Sequence, residues 1–382
     1  MRQVMLGEGV VGATLAKSIY APDGRLLVNA GVVLTPSLVE ALRARGYGWV
    51  VVQDGLLDDV IIDDALCEET RAMAASAVAG MFERTVPGKK GRGERIIAAV
   101  ERMLDELWSQ PEVVFSISAI RCHEGYLFWH SVDVATVSLL VAMASGYDRV
   151  KMRELGVGAL LHDIGMVKVP VEILRAPRSL TNQEFERVKL HTTLGYRIIT
   201  ENKEFSYIAA HAALEHHERL DGSGYPRGLR GDKILDIGRI VGVADVFCAM
   251  TEDRPHRKRV HPHEAIRYLR ASAARFDQRF VRRLALRMAS YPNGTFVRLS
   301  TGDFGVVVRQ DKRDGERPVV RLLADGRNRP VEPVEIALAD MPEVQVSLVA
   351  DTVPEELERV LELRLLGQRG VSGTPNRVDG GD

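Results

Sequence analysis

Seven side chains carry most of the chemistry this sequence offers: His130, His162, Asp163, His191, His216, His217 and Asp245. Neutral imidazoles combined with carboxylates, and with no thiolates among them, suit hard or borderline divalent ions that keep open coordination positions. The three cysteines, Cys67, Cys122 and Cys248, form no CxxC pair, so neither a cysteine-based structural zinc site nor a disulfide framework is expected. Taken singly, each residue has a plainer reading. His162-Asp163 alone would be a capped helix end with a buried histidine. Together, on apolar and helix-like backgrounds, the seven point to metal.

The surrounding residues say how the seven are positioned. Leu155, Ala159 and Leu160 form a stripe that drives a helix into a core and delivers His162-Asp163 to its C-terminal end, where Gly165 is expected to stop it. Adjacent residues on a helix point about 100° apart, so the pair can straddle a site, with His162 on one ion and Asp163 bridging two. His216-His217 follows a helix carrying Ala209, Ala212, Ala213 and Leu214. Two adjacent imidazoles in such a place are costly unless something ligates or hydrogen-bonds them. His191 lies between Val188-Lys189-Leu190 and Leu194-Gly195, His130 precedes an apolar face of Val134, Val137, Leu140 and Val141, and Asp245 ends the apolar run Ile240–Ala244. An unpaired carboxylate would be strange there.

Around this helical centre the chain changes character. Residues 1–55 read as a small α+β module, with Asp23-Gly24 as a hairpin turn and Thr35-Pro36 as the start of a short helix. Residues 56–108 read as a helical linker with an apolar stripe (Ile61, Leu66, Met73, Val78) able to pack on its own domain or to form a homodimer. A basic loop, Pro87 to Gly93, interrupts it. Residues 109–290 form the all-α bundle, 291–350 a small β-barrel or sandwich, and 351–382 a short helix and a disordered tail. With 51 Lys+Arg against 52 Asp+Glu, the charge balance excludes a globally basic binder of nucleic acid polymers. The run Val137–Ala144 is too short to span a bilayer, and no export signal opens the chain, so a cytoplasmic protein without a membrane segment is expected. Gly7-Glu8-Gly9-Val10-Val11-Gly12 fits G-x-G-x-x-G but lacks the βαβ context of a dinucleotide site.

His162-Asp163-Ile164-Gly165, together with His216-His217-Glu218-Arg219-Leu220-Asp221-Gly222-Ser223-Gly224-Tyr225-Pro226, resembles the HD-GYP family, a branch of the HD superfamily of metal-dependent phosphohydrolases. The resemblance covers about residues 110–290 and includes His130-Ser131, His191, Ala244-Asp245 and Asp253-Arg254-Pro255 in order. It implies a helical bundle around two or three divalent ions, often iron or manganese, and hydrolysis of cyclic di-GMP to pGpG or onward to GMP. It also implies a partition in which His130, His162 and Asp245 hold one ion, His191, His216 and His217 the other, and Asp163 bridges. Two ions can lower the pKa of a shared water and neutralise the charge of a phosphodiester. Gly222, Gly224, Tyr225 and Pro226 then read as a loop that shapes the substrate site or docks a signalling protein, and Arg254 and Arg257 as forks for phosphate oxygens.

Three departures matter. Most relatives follow His-Asp-Ile-Gly with Lys; here Met166 stands there, and Lys168, two positions on, is the candidate replacement. Cys248 and His256 stand where relatives often carry Asp and Tyr. The carboxylate that binds a third ion in some relatives falls at Tyr126, which favours two ions. The readings that follow are a cyclic di-GMP phosphodiesterase, a receptor that binds the nucleotide or a protein without efficient turnover, and an HD phosphohydrolase acting on another phosphate ester.

Overall fold

The structure, a computed structural model, describes residues 1–350 and 354 except 22, 54, 56, 63, 84–91, 111–113, 116–125, 175, 177, 254–258 and 313. The expected basic loop falls largely outside them, as does the expected C-terminal helix and tail.

The N-terminal strands are β1 (Arg2–Met5), β2 (Thr14–Leu15), β3 (Ile19–Tyr20), β4 (Leu26–Val28) and, after helix α1 (Pro36–Ala44), β5 (Trp49–Gln53). They make an antiparallel sheet of order β1-β5-β2 and a separate β3–β4 hairpin. Thr35 caps α1 by accepting from the Leu38 amide, and Pro36 fills the first turn, where a missing N–H costs nothing. Val39 and Leu42 of α1 close over Val50 and Val52.

The centre is helical: α2 (Glu68–Phe82), α3 (Arg92–Trp108), α4 (Tyr126–Ala144), α5 (Arg149–Leu160), α6 (Val171–Leu174), α7 (Asn182–Lys189), α8 (His191–Glu201), α9 (Tyr207–Glu215), α10 (Asp236–Thr251), α11 (Pro262–Ala271) and α12 (Gln278–Arg287). Helix α4 is apolar on every side, so it can only lie at the middle. It packs against α2, α5, α10 and α12, and Val132, Val137, Leu140 and Val141 are fully buried. Its apolar stretch is longer than the run Val137–Ala144 suggests: Leu127–Ala144 is long and apolar enough to cross a membrane, but it forms the core of the bundle. Helices α2 and α3, from the stretch expected to be a linker, add Val78, Ile96, Val100 and Met103 to this same core.

The C-terminal strands correct an expectation. Strands β6 (Phe296–Leu299), β7 (Phe304–Arg309), β8 (Val319–Ala324), β9 (Glu335–Ala337) and β10 (Val346–Ala350) form one open antiparallel sheet of order β10-β6-β7-β8-β9. β9 and β10 do not pair, so no barrel closes, and among the described residues no second sheet covers it as in a sandwich. The physical reason is that both faces are already covered. Leu57 and Val60 pack on Phe296, Val306 and Leu323 on one side, and Leu338 and Val344 on Val297, Val307 and Val320 on the other.

Candidate metal centre

Helix α5 ends at Leu160, earlier than expected, and Gly165 does not stop it. His162 and Asp163 occupy a turn that runs into a 3-10 segment, Ile164–Lys168, containing Gly165. That glycine is there for close approach: a Cβ would lie 1.9 Å from the His191 carbonyl oxygen and 2.7 Å from the Gly195 amide nitrogen. The turn carrying His162-Asp163 therefore lies directly on the start of α8, where His191 is the first residue. His216 and His217 come just after α9, His130 is in α4 and Asp245 in α10. Five separate elements thus deliver the seven groups to one place.

Donor atoms of His191, His216 and His217 lie within 4.8 Å of one another, as do those of His130, His162 and Asp245, and those of His162, Asp163 and His216. Asp163 sits between the first two groups. Its Oδ1 is 3.3 Å from His191 Nε2 and 3.7 Å from His216 Nε2, and its Oδ2 is 3.4 Å from His162 Nε2. His217 Nδ1 is 4.0 Å from Asp245 Oδ2.

Main-chain carbonyls set the tautomers. Nδ1–H of His162 donates to Ala159 O (2.8 Å), that of His191 to Val188 O (2.6 Å) and that of His216 to Ala212 O (2.9 Å). A carbonyl can only accept, so in each neutral ring Nδ1 holds the proton and Nε2 is a bare lone pair. These lone pairs face each other: Nε2 of His191 and Nε2 of His216 are 3.3 Å apart, and His162 Nε2 is buried without a hydrogen-bond partner. Converging lone pairs in a buried pocket are unfavourable on their own: without a cation the Asp163 carboxylate favours a proton on His162, whose pKa it raises against burial, and divalent cations among the donors would take that proton's place. The residues fit a divalent metal centre.

His130 is held differently. Both carboxylate oxygens of Glu252 lie 3.1 Å from its Nδ1, and Asp245 Oδ1 lies 3.1 Å from its Nε2. Glu252 is 4% exposed, and the sequence reading passed over it. A signal for it existed: Asp245 and Glu252 are seven residues apart, the spacing of two helical turns, although Glu252 itself stands just past the last residue of α10 in extended backbone. A carboxylate behind a metal-binding imidazole fixes its tautomer and raises its basicity, and loss of such a partner typically costs 10–100-fold in metal affinity. Replacing Glu252 with Gln is expected to weaken metal binding by that factor, read by titrating metal-free protein against a competing chelator. Unchanged affinity would remove Glu252 from this role.

The charges shift accordingly. Burial disfavours ionised Asp163, but the imidazoles of His162, His191 and His216 outweigh it and hold the carboxyl well below its usual range. Burial, reinforced by neighbouring imidazoles, pushes His216 and His217 well below the ordinary histidine value of 6.5. Burial also works against a charged His130, yet Glu252 and Asp245 overcome it and raise it to about 10. In metal-free protein, His216 and His217 therefore contribute stability above pH 6.5 that is lost as pH falls below that value. His130 contributes stability below 6.5 that is lost as pH rises through about 10. Denaturant melts in chelator are expected to show stability greatest near pH 6.5, falling on the acid side through His216 and His217 and on the alkaline side through His130; a monotonic profile would contradict the assignment.

The loop of Gly222–Pro226 folds back over the imidazoles. Glu218 accepts from the Arg227 and Leu229 amides at 2.8 Å each, and the Tyr225 amide donates to His217 O at 3.2 Å. Gly224 is required by contact, since a Cβ would come within 2.5 Å of the Glu218 Cα and the Arg219 amide nitrogen. Arg219 donates to the carbonyls of His216 and Glu218 at 2.8 Å each, tying the loop to the end of α9. The Tyr225 ring lies 4.7 Å from that of His217, while Gly222 is half-buried beside Arg230 and Pro226 is exposed. Lys168, by contrast, is exposed, with no hydrogen bond or ion pair to another described residue, and Met166 is half-buried. Arg254 and Arg257 lie outside the described residues.

The HD domain family matches residues 83–280. A cyclic di-GMP phosphodiesterase of Pseudomonas aeruginosa, PA4108, is 32% identical over 278 residues, covering 71% of this chain and 67% of the relative. A cyclic di-GMP phosphodiesterase of Thermotoga maritima is 41% identical over 164 residues (43% of this chain, 44% of the relative). The 3'3'-cGAMP-specific phosphodiesterase 1 of Vibrio cholerae is 36% identical over 154 residues (40% of this chain, 36% of the relative). The chain thus spans about two thirds of the first relative and less than half of the other two. With His162-Asp163 set against the His216–Pro226 stretch in one buried centre, the chain belongs to the HD domain family, in its HD-GYP branch.

Proposed function

We propose that this protein is a metal-dependent phosphodiesterase that opens cyclic di-GMP to pGpG. The observation that carries the reading is the convergence of five imidazoles and two carboxylates, with the Nε2 atoms of His162, His191 and His216 turned inward. His130, His162 and Asp245 would hold one ion and His191, His216 and His217 another, with the two oxygens of Asp163 shared between them. Imidazole and carboxylate donors suit iron or manganese. Bound ions supply Lewis acidity toward the phosphodiester and make water nucleophilic near neutral pH.

The protein's own part is positioning. The backbone carbonyls lock three rings, Glu252 locks a fourth, and the Glu218-braced loop brings Tyr225 to the edge of the site. Such preorganisation is what phosphoryl transfer draws on. The dinucleotide class is supported by relatives whose names give cyclic di-GMP or 3'3'-cGAMP as substrate. The Vibrio relative favours cyclic GMP-AMP as the second candidate substrate. Pro226 is the exposed point at which the loop would meet a signalling protein, and a cytoplasmic setting goes with the messenger substrate.

The test is incubation of protein loaded with Fe(II) or Mn(II) with cyclic di-GMP and cyclic GMP-AMP, with linear products followed by chromatography. Linear dinucleotide from cyclic di-GMP is expected. Binding without product under both metals would overturn the enzyme reading. Met166 supplies no charge where relatives carry Lys, so Met166→Lys is expected to raise the rate; no gain would remove that position from the argument.

A further inference from the structure

Helix α7 contributes no buried residue to the fold. A capping box between Thr181 and Glu184 stabilises it locally, with Arg178 paired to Glu184 at 2.7 Å. Its phenyl group, Phe185, is 44% exposed, so burial does not explain why an aromatic ring stands there. Lys189 follows four residues later, on the same face.

Both side chains share a neighbour. The Phe185 ring meets Tyr225 edge-on, with centroids 6.3 Å apart. The Lys189 ammonium lies 5.0 Å from the Phe185 centroid and 5.5 Å from that of Tyr225. Tyr225 is in turn 4.7 Å from the His217 ring and 6.5 Å from His191. This is the accessible side of the centre, because the His217 side chain is 22% exposed while those of His162, His191 and His216 are fully buried. A cation and two aromatic rings thus line the approach to the inward-facing lone pairs.

We infer that Phe185 and Lys189, with Tyr225, form a subsite for one nucleoside phosphate unit of the cyclic dinucleotide. Phe185 stacks on the nucleobase and the Lys189 ammonium takes a phosphate oxygen. This assignment rests on the function proposed above. The ligand class follows from the pairing. An inorganic anion has no use for the phenyl ring and an apolar ligand none for the ammonium, whereas aromatic platforms beside cations hold single nucleotides and strands. Lys189 also pairs with Glu186 at 2.7 Å, but an exposed pair on one helix is weak and is readily exchanged for a phosphate. Lys189 further places a positive charge at the site's rim, where Met166 brings none.

The experiment compares wild type with Phe185→Ala, Phe185→Trp and Lys189→Met, each with measured metal content. The substrates are cyclic di-GMP and methyl 4-nitrophenyl phosphate, a diester without a nucleobase. For Phe185→Ala, kcat/KM on cyclic di-GMP is expected to fall roughly 10- to 100-fold, mostly through KM, so the preference over the small diester collapses; Phe185→Trp restores it. Lys189→Met is expected to raise KM for cyclic di-GMP and to flatten its dependence on salt. A proportional loss on both substrates with lost metal, or no change on cyclic di-GMP, would overturn the subsite. If wild type turns over neither substrate, the proposed function fails instead. The subsite is then judged by equilibrium binding of cyclic di-GMP to metal-loaded wild type and Phe185→Ala, where equal affinities overturn it.

Discussion

Asp163→Asn is expected to lower turnover of the cyclic dinucleotide by about a thousandfold or more and to reduce the bound divalent metal, with the helical fold intact. Asp163 is the acidic group set among three inward-facing nitrogens, at 3.3 Å from His191, 3.4 Å from His162 and 3.7 Å from His216. An amide of the same shape fills the same space, so packing is preserved. It removes the negative charge that balances the cations and offers one acceptor oxygen in place of two. Loss of a single preorganised electrostatic contact already costs about 10²–10³ in rate, and Asp163 serves both halves of the centre. Elemental analysis, a circular dichroism spectrum and product assays check the three parts separately. An Asn variant with full metal content and a rate within tenfold of wild type would remove Asp163 from the centre.

Stripping the metal is expected to lower the melting temperature by roughly 10 °C for each ion lost. A ligand held at 100 to 1,000 times its dissociation constant stabilises the folded state by about 3–4 kcal/mol, and a domain of this size moves about 2–4 °C per kcal/mol. Here the reason is specific. Without a cation, Nε2 of His191 faces Nε2 of His216 across 3.3 Å, and His162 Nε2 is buried with no hydrogen bond, 3.4 Å from Asp163 Oδ2. Calorimetry in chelator, followed by reloading with Fe(II) or Mn(II), measures it. An unchanged transition would mean that the folded state gains nothing from the ions.

The candidate ligands were legible because their chemistry is expensive. Imidazoles and carboxylates on apolar backgrounds demand an explanation, and they stand as far apart in the chain as His130 and Asp245. The centre of the fold was legible for a related reason, since α4 is apolar on all sides and has one place to go. What remained hidden depended on contacts between distant segments. The end of α5 at Leu160, ahead of His162, goes with a close approach of Gly165 to α8 that the sequence does not display. Glu252 is an ordinary acidic residue until His130 is brought against it by folding. The open C-terminal sheet escaped detection because alternating strands look alike whether or not they close, and only Leu57 and Val60, more than 200 residues away, show that one face is already covered. Phe185 and Lys189 drew no notice in the sequence, and their interest arises from Tyr225, which reaches them from another loop.

The way the rings are anchored divides what heredity can alter from what it cannot. The acceptors that orient His162, His191 and His216 are the carbonyls of Ala159, Val188 and Ala212, and every amino acid carries a carbonyl. A change of side chain at those three positions leaves the acceptor itself in the chain, so long as the new residue fits the fully buried places of Ala159 and Ala212. His130 alone among the anchored rings depends on a removable side chain, that of Glu252. A single substitution at position 252 can therefore delete a ring's anchor outright, which no single substitution can do to the other three.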